Sequence, residues 1–308
     1  MWRLKILIQF ILARLPGGER LNHLLQCLKG SHSQGSVQSR LLSVVSTLVS
    51  VGGSAKIEGS TVVEIGTGWD AIVPAILYML GARRIITYDH VVHLRAKRVR
   101  GVLDEISASL KQIASMTAIP ESVLAGRMAK VSSTRDLTGL LQSMDIIYKA
   151  PADAAQTALP DRSVDLVFSY AVMEHVPEDV IGPLAAEARR ILKPGGTAIH
   201  YIGLFDHHHK CGVHFLQIPA RWWAFFAQNR IFYHNRLREP QFVEIFRSCG
   251  GSVNVISHTI RDGDLEALKT MTIDSAFAGL TNEQLAVYTS LICASFDEHP
   301  REVHDASL

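Results

Sequence analysis

Thr61 to Asp70 reads TVVEIGTGWD, and this stretch decides the fold. Thr61–Ile65 is rich in β-branched residues, the composition of a strand buried on both faces, and it carries an acid near its end, Glu64. Gly66 and Gly68 then mark a turn into a helix expected over Ala71–Leu80, where missing Cβ atoms let a ligand approach bare backbone. Such a turn holds a nucleotide-like cofactor. Gly66, Gly68 and Ala71 also satisfy a dinucleotide fingerprint, whose purpose is to seat a pyrophosphate on a helix N-terminus. Asp70 stands where those phosphates would lie and would repel them. A cofactor bearing an ammonium and a sulfonium suits that carboxylate, so these residues favour S-adenosylmethionine over NAD.

Working outward, Arg84–Tyr88 predicts a second strand ending at Asp89. A carboxylate there can accept hydrogen bonds from both ribose hydroxyls, and it can also cap the helical segment that follows. Met144–Lys149 reads as the third strand, and Val164–Tyr170 as a compact apolar fourth. Asp153 falls in the loop between them, placed to accept the exocyclic amine of an adenine. Pro177, Glu178 and Asp179 open the next helix, which closes at Leu192–Gly196. Gly196–Gly203 predicts the fifth strand, Gln241–Cys249 a helix, Val253–Ile260 a strand and Tyr288–Phe296 the last strand. Thr281 with Gln284 fits a capping box, so a short helix should precede that last strand.

The segments VVEIGTG at Val62–Gly68, TYDH at Thr87–His90, PAD at Pro151–Asp153, SVDLVFSYAVMEHV at Ser163–Val176 and LKPGG at Leu192–Gly196 occur in one order along the chain. In them the chain resembles the class I S-adenosylmethionine-dependent methyltransferases, of the broad type 11. The resemblance implies an α/β, Rossmann-like fold with a seven-stranded, mostly parallel sheet and helices on both faces. It implies cofactor contacts from Glu64, Gly66, Thr67, Gly68, Asp89, His90, Asp153, Ala154 and Ser169. Many members have glycine where this sequence has Asp70, a departure at the methionine end of the site.

With 308 residues, 47% hydrophobic and 19% charged, the chain can bury a large core. The expected organisation is an N-terminal helical extension over 1–53, a cofactor-binding core over 54–203, an inserted acceptor segment over 204–238 and the rest of the core sheet over 239–308. A net charge of +2 gives no support to a nucleic-acid partner. Cys27, Cys211, Cys249 and Cys293 show no metal or disulfide spacing, which fits free thiols in a reducing, cytoplasmic setting. Near the N-terminus, Ile6–Ala13 is apolar but interrupted by Gln9 and too short to span a bilayer. An amphipathic helix on the catalytic body is expected there, with peripheral membrane contact as the alternative. Ser31–Ser36 reads as a linker before an apolar helix over Arg40–Val51.

Seven of the fourteen histidines lie from His200 to His258, and the segment after the fifth strand holds DHHHKCGVH, PARWWAFF and FYHNRLR. Chain placed after that strand emerges beside the cofactor crevice and is suited to build an acceptor pocket. Asp206, His207, His209, Cys211 and His214 offer metal-ligand chemistry, but their spacing matches no standard framework, so no metal is assigned. The preferred reading is acid-base catalysis, with Asp206 orienting His207 and His207 taking a proton from an acceptor hydroxyl. His175 is the second candidate base. Arg236 or Arg238 would anchor an anionic acceptor, and Trp222 with Trp223 would stack on a sugar or aromatic ring. Some related methyltransferases from polysaccharide gene clusters resemble this region in an Asp-His pair, an Asn-Arg-Leu stretch and a tryptophan. The function expected is O-methylation of a glycan or small hydroxylated metabolite. The alternatives are an NAD-dependent oxidoreductase and a binding protein that keeps the fold without chemistry.

Overall fold

The computed structural model describes residues 34–134, 136–207, 209–227 and 233–296, together with positions 11, 12, 14, 15 and 21. The amphipathic helix expected at the N-terminus, and with it the membrane-contact reading, falls outside these residues apart from those isolated positions. Among the described residues no helix is long and apolar enough to cross a membrane.

In chain order the elements are α1 (Gln34–Ser50), α2 (Gly53–Ile57), β1 (Thr61–Ile65), α3 (Ile72–Met79), β2 (Arg84–Tyr88), α4 (Ala96–Ala108), α5 (Leu110–Thr117), α6 (Glu121–Ala129) and α7 (Leu137–Gln142). They continue with β3 (Ile146–Lys149), β4 (Val164–Tyr170), α8 (Glu178–Ile191), β5 (Leu192–Gly203), α9 (Ala220–Ala227), α10 (Glu239–Ser248), β6 (Ser252–Ile260), α11 (Asp262–Leu268), α12 (Asn282–Ala286) and β7 (Val287–Ser295). Gln34, Gly35 and Ser36, read above as linker, belong to α1. The expected capping box is present: Thr281 Oγ1 accepts from Gln284 N at 3.3 Å, and Gln284 Oε1 accepts from Thr281 N at 2.9 Å.

The seven strands form one sheet in the order β3-β2-β1-β4-β5-β7-β6. Neighbours from β3 to β5 are parallel, and β7 runs antiparallel to both β5 and β6. Period-two alternation sorts the central strands onto two faces. Val62, Ile85, Leu166 and Phe168 pack with α1 and α3–α6 on one side, while Val63, Ile86, Val167 and Ala198 pack with α8 and α10 on the other. The central strand β1 is buried along its whole length, as its apolar run requires.

A third, smaller apolar cluster lies outside this sandwich. Val213, Phe215, Leu216 and Trp223 from the segment after β5 meet Leu268, Phe277, Leu285 and Ala286 from the segment between β6 and β7. The two segments are stitched by main chain as well, since Gly212 N donates to Asp264 Oδ1 at 2.8 Å and Asp274 N to Leu216 O at 2.9 Å. Arg238, fully buried, ties this unit to the sheet. Its guanidinium donates to the carbonyls of Leu204, Leu285 and Val287, at the end of β5, the end of α12 and the start of β7.

Arg238→Ala would strand those carbonyls in a dry interior, at a cost of about 3 kcal/mol or more. The expected outcome is a lower urea midpoint, and a midpoint equal to that of the parent protein would show that the three bonds contribute nothing.

Candidate functional site

The site begins where β1 ends. Gly66 adopts φ +85°, and a Cβ there would lie 2.4 Å from Val172 Cγ2. The missing side chain thus lets the β1 turn seat against the segment that follows β4, rather than simply exposing backbone to a ligand. Gly68, by contrast, faces open space. The turn is fixed to β2 by Gly66 N donating to Tyr88 O at 2.8 Å, and to Asp89 by Gly68 N donating to Asp89 Oδ2 at 2.9 Å. Asp89 Oδ1 accepts from Val91 N at 3.0 Å, so this carboxylate organises both loops at once. Ala152 N donates to Asp89 O at 2.9 Å and brings the Asp153 loop to the same edge, where Asp153 Oδ1 accepts from Ala155 N at 2.8 Å.

Glu64 sits beneath that edge, fully enclosed. Thr87 Oγ1 donates to its carboxyl, and the Thr87 hydroxyl is also bonded to that of Thr67. Burial pushes the Glu64 carboxyl up to about 8, the Thr87 bond opposes this in part, and the charge of Asp89 adds to it. The structure therefore gathers Glu64, Thr67, Gly68, Asp89 and the Asp153–Ala154 loop at one edge of the sheet. His90 is exposed, with Nδ1 3.5 Å from Asp89 Oδ1. Ser169 is turned elsewhere: it is wholly buried, and its Oγ is bonded to His200 Nδ1 at 2.8 Å within the sheet.

Asp70 plays a different part from the one its position suggested. Its oxygens receive Arg40 Nη2 at 2.7 Å and Arg98 Nη1 at 3.1 Å, so its charge is matched by two arginines that anchor α1 and α4 to the turn. A neutralised Asp70 does not repel phosphates, and discrimination between cofactors cannot be assigned to it. Trp69 stacks on His93 with centroids 4.1 Å apart and builds a wall beside Gly68.

The second half of the site grows from the end of β4. A short turn over Met173–His175 delivers Glu174 inward and His175 outward. Glu174 Oε1 accepts from Gly203 N at 3.1 Å, and a Cβ at Gly203 would sit 2.7 Å from that oxygen, so only glycine at the end of β5 admits the carboxylate. Its other oxygen, Oε2, is buried with no hydrogen-bond partner. Burial pushes the Glu174 carboxyl up to about 8.

Asn235 holds the turn in place. Its Nδ2 donates to the carbonyls of Met173 at 2.7 Å and Val176 at 2.9 Å, and its main-chain N to that of Glu174 at 2.9 Å. His175 Nδ1 lies 2.8 Å from Tyr233 O, and His207 Nδ1 lies 3.0 Å from Phe205 O. A carbonyl can only accept, so each Nδ1 carries the proton and each Nε2 keeps its lone pair. The rings of His175 and His207 stand 5.1 Å apart, and buried His234 lies within 5.8 Å of both. His175 is exposed as a residue, yet the protein packed around its ring desolvates the imidazole and holds it below the ordinary histidine range despite the Tyr233 carbonyl.

Several expected roles change on this geometry. The Asp206 carboxylate accepts from His209 N at 3.2 Å and lies 3.8 Å from His214 Nδ1, and His207 Nδ1 faces the Phe205 carbonyl. Arg236 Nη1 donates to the carbonyls of Phe215 at 3.1 Å and Ile218 at 2.6 Å, and its guanidinium lies over Trp223 and Phe277. Burial lowers it to about 10, and Arg238 to about 9. Neither arginine presents its charge to an acceptor; both hold main chain. Trp223 is buried and donates to His234 O at 2.9 Å, whereas Trp222 is 53% exposed with Arg221 above its ring. Glu174 and Asn235 escaped sequence reasoning. The only signals were the Glu-His pair after β4 and an Asn-Arg-Leu stretch whose partner in space was unknown.

A family pattern described as a methyltransferase domain matches residues 125–200, from α6 to β5. No curated protein matches the chain. Among solved structures it is similar to a chain from the complex of the Haloferax volcanii Trm112 methyltransferase activator with a methyltransferase, at 18% identity over 91% of this chain and 96% of that one, TM-score 0.46. It is also similar to an S-adenosylmethionine-dependent methyltransferase from Mesorhizobium loti, at 15% identity over 78% and 92%, TM-score 0.41. A further similarity is to phosphoethanolamine N-methyltransferase 2 of Haemonchus contortus, at 14% identity over 79% and 49%, TM-score 0.41. The domain match over residues 125–200 supports an S-adenosylmethionine-dependent methyltransferase, and the strand order and the glycine turn between two acids are those expected of the class I architecture.

Glu64 gives the apo protein a characteristic pH response. Its folded value of about 8 exceeds its ordinary 4.5, so between those limits the folded state binds more protons than the unfolded one. Stability should then fall as pH rises through the window, by at most about 1.4 kcal/mol per pH unit from this group. Urea unfolding at pH 5.5 and 7.5 should show a smaller difference in Glu64→Gln than in the parent, and an unchanged difference would contradict the assignment.

Proposed function

We propose that the protein transfers a methyl group to the oxygen of a hydroxylated acceptor, a glycan or small metabolite, activated at the Glu174–His175–His207 group. The observation that carries this reading is the pair of imidazoles at the edge of β4 and β5, each with Nδ1 on a main-chain carbonyl and hence in the tautomer whose Nε2 carries the lone pair. The cofactor supplies a methyl already activated on a sulfonium. On the protein's side the work is to hold the acceptor in line, exclude water and take up its proton.

In this reading Glu64, Gly68, Asp89 and the Asp153–Ala154 loop hold the cofactor, with Asp89 lending its remaining lone pairs to ribose hydroxyls. The seam between Gly66 and Val172 brings that crevice against the turn bearing Glu174 and His175. As the acceptor oxygen bonds to the methyl carbon and the carbon–sulfur bond breaks, the hydroxyl proton passes to an imidazole Nε2. Trp222, exposed on α9 with Arg221 above it, supplies an aromatic face on which a sugar ring can stack.

Purified protein incubated with methyl-labelled cofactor and hydroxylated acceptors should yield a label in a base-stable ether; label in an amine would defeat the oxygen reading, and label in a base-labile carboxyl ester would defeat the hydroxyl acceptor. His207→Ala should lose about 10²–10⁴-fold in kcat while binding S-adenosylhomocysteine as the parent does. Asp89→Ala should do the reverse of that binding result, with calorimetry showing at least a tenfold weaker S-adenosylhomocysteine complex in a protein of unchanged circular dichroism.

A further inference from the structure

We propose that Glu174, His175 and His207 bind one divalent first-row transition ion, zinc in type, and leave it a coordination position for the acceptor. One ligand atom from each of these residues lies within 4.8 Å of the other two. Ligands of a bound ion stand about 3.4 Å apart, given bonds of about 2.1 Å in a tetrahedron, so a modest contraction closes the set.

Three independent features prepare it. Each imidazole donates its Nδ1–H to a main-chain carbonyl, of Tyr233 and of Phe205, which is the arrangement that fixes a metal-binding histidine in the tautomer presenting Nε2. Glu174 is 1% exposed, and its Oε2 is buried without a partner. A carboxylate oxygen left so in a dry interior is costly unless a cation or donor meets it. The backbone, too, is shaped around this carboxylate: Gly203 makes room for it, and three bonds from Asn235 hold its turn. Two nitrogens and one oxygen favour a borderline ion over magnesium or calcium, which prefer all-oxygen shells. Three protein ligands leave a further position, and the group is not sealed off, since His175 is exposed and His207 half-buried.

Ion binding stands on its own, while its use in catalysis rests on the oxygen-transfer reading. An acceptor hydroxyl in the open position would lose its proton to water more readily, because the ion stabilises the alkoxide. With the ion present both Nε2 lone pairs are spent on it, so the acceptor proton leaves to water and the imidazoles serve as ligands in place of the base role they have without it.

The test uses the full chain, freed of metal by a chelator and titrated separately with Zn²⁺ and Mg²⁺. One Zn²⁺ per chain should bind and survive gel filtration, and Mg²⁺ should bind at least about 100-fold more weakly. Glu174→Gln and His207→Ala should each weaken Zn²⁺ binding at least about 100-fold, and His209→Ala should leave it unchanged. Should a variant not fold, Co²⁺ in the unaltered protein decides: visible bands without a thiolate charge-transfer band support the site, and such a band from Cys211 overturns it. Absence of stoichiometric binding, or binding indifferent to Glu174→Gln in a folded variant, also overturns it. If no ion binds yet the label enters an ether, this inference alone fails. If the ion binds and the label enters an amine, the site stands and the oxygen reading fails.

Discussion

Asn235 grips the turn at the end of β4 through three hydrogen bonds, two from its side-chain amide and one from its main chain, and the rest of the site hangs from that grip. The turn would otherwise leave the carbonyls of Met173, Glu174 and Val176 without these partners beside a buried carboxylate. Asn235 supplies the donors, and with them fixes which way Glu174 and His175 point. Two residues earlier Tyr233 receives the His175 proton, and three residues later Arg238 ties the same strip to the end of β5 and the start of β7. One short strip of chain thus couples the acceptor-side unit to the sheet. The coupling is polar and directional, and the apolar cluster around Phe215 and Trp223 adds the burial that keeps it dry.

Charge is distributed in the molecule with a clear division. Where a carboxylate is needed for structure, as at Asp70 and Glu187, arginines meet it: Arg40 and Arg98 in the first case, Arg190 in the second. Glu187 is accordingly held down to about 2 by that arginine. At Glu64 and Glu174 no cation is in place, and burial drives both carboxyls up to about 8. Buried acids without a cationic partner are expensive, and both of these stand at or just beyond the carboxyl ends of neighbouring strands, β1 and β4. The arginines near the acceptor side follow the opposite rule. Arg236 and Arg238 are spent on main-chain carbonyls and hold together the segments after β5 and between β6 and β7.

The open edge also explains why the segment after β5 is not an independent lid. Its apolar residues meet those between β6 and β7, so both chain segments contribute to one small core. A single inserted segment of this size could not bury Phe215, Trp223 and Arg236 alone. Trp222, one position from Trp223, falls on the other side of α9 and stays in solvent.

Much of this was legible in the residues. The β-branched run at Thr61–Ile65, the glycines that follow it, the acid ending β2 and the capping box at Thr281 are local signals, because strand propensity, turn conformation and caps depend on neighbours within a few positions. Their order implied the sheet, and the sheet implied that Glu64, Asp89 and Asp153 meet. What local pattern could not carry was the identity of partners distant in sequence. That Asp70 is neutralised from α1 and α4, that Asn235 clamps a turn some sixty residues away, and that Glu174 lies close to His175 and His207 are outcomes of packing. A side chain's partner is set by which backbones the folded core brings within about 3 Å, and spacing along the chain holds no record of that distance.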